Sequence, residues 1–522
     1  MRSSAVLLTV AVLLNGCATR PVPIAPVVAP PPVAAPAPSP PDAAPAPAAP
    51  VAVAVPAAPN TPERLPRDLQ TIFSTPAAAH AHWAVHVYSL RSAKSLYSLN
   101  AHQFMVPASN QKLLTTAVAA ERLGWDFRFA TKIVATAPIE ADGTLVGDLV
   151  ITSNGDPTIN PRHPERWRIF DEWAKALQAK GLKIVSGQIV GDDNAFAEPG
   201  WGLGWAWDNL QDGYGAPVSA LQYNENQVTL QIGPGMAPGD RAIISMTPLG
   251  SGLFIDHGVT TAAPNAANGV RLARVPGTSL LQVRGQIAVD AKPISVNAAV
   301  DNPTRLYVNA FREALARHGI FVSGTPIDID DLRTVLKLSD ATTLIDDRSP
   351  PLSEIIDVTN KWSRNIYAET LLHAMAPPGA PATGAVGIKR LRETLSAWGI
   401  PADSYLSRDG SGLSRYDFVS ANALTLLLTR IAADPKHAEL FRATLPVAGV
   451  SGSLANRMKG TVAEGRVAAK TGTLSHVRAL SGYLTTLDGE PMVFSILVNS
   501  YQIPTGEIDA IIDRALVRMV GR

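Results

Sequence analysis

Forty residues near the start of this chain cannot join any folded core. From Pro21 to Asn60 the sequence holds 15 prolines, and Asp42 is its single charge. Proline fixes φ and removes a backbone donor, which bars helix interiors and central strands. The alanines and valines between the prolines offer too little to bury. The stretch therefore reads as an extended, polyproline-like arm that reaches up to ~120 Å at about 3.1 Å per residue. The folded body must come from the residues after it, and at this length they predict two or three domains.

The arm is preceded by MRSSAVLLTVAVLLNGCATR. Arg2, the apolar run from Ala5 to Leu14 and the small residues beyond it describe a secretory signal over residues 1–16, too short to span a bilayer stably. Cys17, the only cysteine, follows Leu14, Asn15 and Gly16. This resembles the lipobox of bacterial lipoproteins, in which the chain is cut before the cysteine and its sulfur is lipidated. The resemblance implies a periplasmic protein held to a membrane by a lipid and by a tether over residues 17–66; Ala18 favours the outer membrane. A single cysteine permits no internal disulfide. Lysine plus arginine, 45, nearly equals aspartate plus glutamate, 44, so charge gives no reason to expect nucleic acid as a partner.

Within the folded part, VPASNQKLLTTAVAAERLG (residues 106–124) reads as one helix opened by Pro107 and stopped by Gly124. Leu113, Thr116, Ala120 and Leu123 recur at helical steps and form a stripe that faces a core. Ser109 and Lys112, three apart, fall on that stripe and can touch. Burial lowers a lysine pKa and makes an amine that can take a proton from a hydroxyl, which would activate the serine. Taken alone, the pair has a plainer explanation: Ser109 caps the helix and Lys112 snorkels to water. Partners elsewhere must decide.

Two such partners follow in order. SRN places Ser363 and Asn365 two apart before an apolar helical run, and KTGT places Lys470, Thr471, Gly472 and Thr473 on a predicted strand. Upstream, Trp83–Leu90 and Lys94–Leu99 read as a hairpin feeding the serine helix, and residues 126–330 alternate in short runs that predict mostly β structure. Helical patterns return from about Thr342, and the chain ends in three strand-like runs and a helix. His80, His82 and His86 have no carboxylate or cysteine beside them, so no metal is expected. Trp201, Trp205 and Trp207 read as a packed loop rather than a sugar platform, and DGSGLS (409–414) as a turn bordering a site.

Ser-x-x-Lys, Ser-x-Asn and Lys-Thr-Gly in this order form the set shared by penicillin-binding proteins and serine β-lactamases. With NGDPTI, APVSALQYNEN, DGSGLSRYDFVSANAL and AAKTGTLSHVRALSGYL, the chain resembles class C low-molecular-mass penicillin-binding proteins of the D-alanyl-D-alanine carboxypeptidase and endopeptidase family. The separation of 254 residues from Ser109 to Ser363 far exceeds what β-lactamases carry. Arg364 stands where the family often has aspartate, and SNGDP replaces a more glycine-rich version.

The resemblance implies an α/β fold, a serine β-lactamase/transpeptidase-like sandwich of helices on an antiparallel sheet. It would be built from residues 67–125 and 331–522, with mostly β inserted domains over 126–330. It also implies an acyl-enzyme reaction on peptidoglycan stem peptides, β-lactams as covalent inhibitors, and no cofactor. Ser109 would be the nucleophile, Lys112 its base, and Ser363 a proton relay to the leaving amine. Asn365 would hold the substrate amide, Lys470, Thr471 and Thr473 its carboxylate, and Gly472 would clear room for the peptide. The alternatives are a β-lactamase or esterase on the same fold and an inactive wall-binding scaffold.

Overall fold

The computed structural model describes residues 61–522, apart from 198, 199, 276, 337, 339 and 340. The signal segment, Cys17 and the arm lie outside the described residues. The tether was expected to run to residue 66, but folding starts earlier. Leu65, Leu69 and Phe73 recur every four residues, and this buried stripe makes Leu65–Phe73 a helix on the core.

One antiparallel sheet organises the catalytic lobe. Its order is Val467–Leu474, Val477–Thr485, Pro491–Asn499, His82–Ser89 and Lys94–Leu99, so the two ends of the folded chain interleave. Both faces are covered, which is why PMVFSILVN is almost continuously apolar. Val493 and Leu497 enter one core; Met492, Phe494, Ile496 and Val498 enter the other. The second core is closed by Leu65–Phe73 and the terminal helix Thr505–Val520. The first holds the helices Gln111–Leu123, Leu352–Lys361, Asn365–Ala374 and Ala421–Ala432.

Between these segments lies an inserted unit with two cores. One is a five-stranded sheet in the order Ile327–Asp328, Ile189–Asp192, Leu149–Ser153, Ala130–Ala135, Thr342–Arg348. The helices Ile169–Ala179 and Pro303–Arg317 pack in its core, among the strands that make up most of the insertion. The other core is enclosed by two three-stranded sheets over residues 227–299. The insertion also outruns its expected limit at 330. Thr342–Arg348 pairs antiparallel with Ala130–Ala135, and beyond the strands Ser349 donates its N–H to the Phe129 carbonyl at 3.0 Å. The chain thus leaves and rejoins the catalytic lobe at neighbouring points. No helix among the described residues is long and apolar enough to cross a membrane.

Candidate active site

Pro107 leads into a tight 3₁₀ turn, Ala108–Asn110, and the α-helix proper is Gln111–Leu123, ended by Gly124 at φ +85°. Ser109 lies in that turn and makes no capping bond. Ala108 adopts φ +46°, a left-handed conformation that costs a non-glycine residue energy and is found where the surroundings enforce it. The helix is buried all round from Gln111 to Ala120 rather than along one stripe, because it runs between the sheet and the other helices.

Lys112 is 0% exposed. Its Nζ lies 2.8 Å from Ser109 Oγ, 2.6 Å from Asn365 Oδ1 and 2.7 Å from the Ser411 carbonyl. Burial brings its pKa down to about 7, against the opposing pull of Asp409 and Glu369. A neutral amine has two N–H groups and one lone pair. The Asn365 and Ser411 oxygens can only accept, so they take the two hydrogens and leave the lone pair facing the Ser109 hydroxyl.

The second motif lies between two helices. Leu352–Lys361 stops, Ser363 takes φ +56°, and a new helix begins at Asn365. Asn365 Nδ2 donates to the Tyr214 carbonyl at 2.9 Å, which turns its Oδ1 toward Lys112. Ser363 Oγ accepts from Lys470 Nζ at 2.8 Å. Lys470 shares a sheet face with Ala468, toward the helices, and is also 0% exposed. Burial, with Lys112 nearby, holds its pKa well below the usual lysine value.

The strand carrying Lys470 runs directly beside Ser109. A Cβ on Gly472 would fall 2.8 Å from the Pro107 carbonyl and 3.1 Å from Ser109 N. The close approach of the strand to the Ala108–Asn110 turn therefore requires a glycine here. Thr471 Oγ1 is 2.7 Å from Ser453 Oγ, and Thr473 Oγ1 accepts from Arg478. Ser109, Ser363, Asn365, Thr471, Thr473 and Arg415 line one open cavity of about 480 Å³.

Several supporting groups have no signature in the three motifs. Asn110 lies 2.7 Å from Ser481 Oγ and 2.9 Å from the Lys470 carbonyl, joining the first motif to the third. The DGSGLS loop that presents the Ser411 carbonyl is held by two buried carboxyls. Glu369 accepts from Gly410 N at 3.1 Å and Ser411 N at 2.8 Å. Asp409 accepts from Gly412 N, Ser414 N and Trp205 Nε1 at 2.6, 2.7 and 2.8 Å. Burial next to Asp409 pushes Glu369 up to about 8. Trp205 is thus a packed residue, while Trp207 is 72% exposed. His86 bonds Thr425 and Ser95 through its two ring nitrogens. Asp193, Asp328 and Asp330 bring carboxylate oxygens within 4.8 Å of one another in the inserted unit, and none of them lines the cavity.

A family model described as D-Ala-D-Ala carboxypeptidase 3 (S13) matches residues 65–518. The chain is 34% identical over 452 residues to the D-alanyl-D-alanine carboxypeptidase of Actinomadura sp. (strain R39), covering 84% of this chain and 82% of that one. It is 28% identical over 422 residues to the D-alanyl-D-alanine carboxypeptidase DacB of Haemophilus influenzae, covering 80% and 84%. Its fold is that of penicillin-binding protein 4 (dacB) from Haemophilus influenzae. The TM-score is 0.74 at 25% identity, over 87% of this chain and 97% of that one.

Proposed function

The chain belongs to the D-Ala-D-Ala carboxypeptidase 3 (S13) family, and on that premise we propose how its own residues perform the work of a serine D-alanyl-D-alanine carboxypeptidase. Ser109 Oγ attacks the carbonyl between the last two D-alanines of a stem peptide while Lys112 takes its proton. The backbone N–H groups of Ser109 and Thr473 receive the oxyanion. Ser363, bonded to Lys470, passes a proton to the departing amine. Asn365 holds the substrate amide. Lys470, Thr471 and Thr473, with Arg478 behind them, hold the terminal carboxylate. Water then releases the acyl-enzyme by the reverse proton path.

The observation that carries this reading is the set of partners around Lys112: a fully buried amine with two obligate acceptors and one serine hydroxyl. A β-lactam, whose strained amide copies the scissile bond, should add its mass once per chain to the peptide containing residue 109. Ser109→Ala should abolish the adduct while the thermal transition persists. A folded protein that penicillin leaves unlabelled at residue 109 refutes the assignment.

The finer reading extends to D-alanyl-meso-diaminopimelyl cross-bridges and to a lipid-anchored place in the periplasm. The cleft is open, and Asp208 and Arg415 put opposite charges on its lining, as suits the amine and carboxylate of a diaminopimelate end. Mass analysis of cross-linked muropeptides after digestion separates loss of single alanines from splitting of dimers.

A further inference from the structure

The Ser-x-Asn loop is held in an unfavourable conformation, and its own helix does not explain why. Ser363 sits at φ +56°, and the helix after it starts at Asn365 without a side-chain cap. Besides the bonds that Lys470 and Lys112 make to Ser363 and Asn365, the loop is held from the inserted unit. Arg364, between the two motif residues, pairs through Nη2 with Glu225 Oε2. Glu225 also accepts from Arg162 Nε at 2.8 Å and from Gln227 Nε2 at 3.1 Å, and its side chain is only 4% exposed. The Arg162 guanidinium lies 5.7 Å from the ring centre of Trp362, the residue before Ser363. Glu225 stands on a turn that is itself strained: Asn224, Glu225 and Asn226 have φ of +52°, +56° and +56°.

Resting on the function proposed above, we infer that Glu225 is a positioning residue for catalysis: through Arg364 it holds the Ser363 hydroxyl where it can protonate the leaving nitrogen. Two strained turns from separate parts of the fold are locked by one buried, charge-assisted contact, and strained conformations persist when the surroundings over-determine them.

The role predicts a split between substrates. As the C–N bond of a peptide breaks, the nitrogen cannot leave as an anion and must receive the proton that Ser363 delivers. A thioester releases a thiolate, whose conjugate acid has a pKa of ~8.5, and needs no such proton. In Glu225→Gln the ion pair is lost. Turnover of an acyl-D-alanyl-D-alanine peptide should then fall at least about tenfold in kcat, since displacing a reacting group by 1 Å costs up to ~100-fold. Turnover of the matching thioester should fall less than about threefold on the same scale. Arg364→Gln breaks the contact from the other side and should give the same split, which guards against one variant failing to fold. A structural role alone would reduce both substrates together. Equal losses on peptide and thioester, or no loss in either variant, overturn the inference. Penicillin labelling at residue 109 of the unsubstituted protein keeps the two failures apart. With the label present, equal losses sink only the positioning role of Glu225; without it, the nucleophile assignment falls as well.

Discussion

Lys112 suits the base role proposed for it because of where its three hydrogen-bonding directions end. Two carbonyl-type oxygens occupy its N–H groups, and burial brings its pKa to about 7. Below that value the amine is protonated and cannot act as a base; above it the lone pair is free. The rate constant for acylation by penicillin should therefore rise with pH through about 7 and then level off. Lys112→Ala should slow acylation by ~100-fold or more and remove that limb. A stopped-flow pH profile of both proteins checks this, and an unchanged acid limb in the variant would give the base role to another group. The lysine was legible in the sequence because the S-x-x-K spacing is local. Glu369 was not. It acts through the DGSGLS loop, whose closeness to Lys112 exists only once the helices are packed, and no local spacing announces such a contact.

At the scale of elements, the sequence placed the three final strands and the last helix well, because each is a long run bounded by turn residues. It gave no sign of the positive φ at Ser363, since a left-handed serine carries no compositional mark. It also missed the helices Ile169–Ala179 and Pro303–Arg317 among short strands, although the second bears its signals. Pro303 sits in its first turn, and Asn302 caps it by accepting from Arg305 N at 2.6 Å. Gly412 shows how tightly elements meet at the site. It has φ +80°, and a Cβ there would lie 1.8 Å from the Ala108 carbonyl. Gly412→Ala should thus push the DGSGLS loop off the nucleophile turn and cost about 1–3 kcal/mol of stability. A lower melting temperature and slower penicillin labelling are the expected readouts; an alanine variant that labels at the normal rate would show that the two segments are not held in register.

For the whole molecule, the arm and the body should be separable. Deleting residues 21–60 should leave the melting temperature and small-substrate turnover essentially unchanged, because the segment has almost nothing to bury. A large drop on calorimetry would reveal that the arm docks. Cys17→Ser should move the protein from the membrane fraction to the soluble one without altering turnover, and unchanged partition would exclude lipidation as the anchor. Domain limits were the least legible feature at this scale. Residues 331–348 looked like a return to the catalytic lobe, but Thr342–Arg348 completes the inserted sheet through pairing with a strand far behind it in the chain. That pairing makes the insertion one closed loop in the polymer sense. Its ends stand a strand spacing apart, roughly 5 Å, and the entropy of closing a loop grows only with the logarithm of its length. Material can therefore be added to or taken from the outer part of the excursion at little cost to chain closure. What such changes must preserve is the short stretch around Tyr214 and Glu225, where the loop touches the catalytic lobe's second motif.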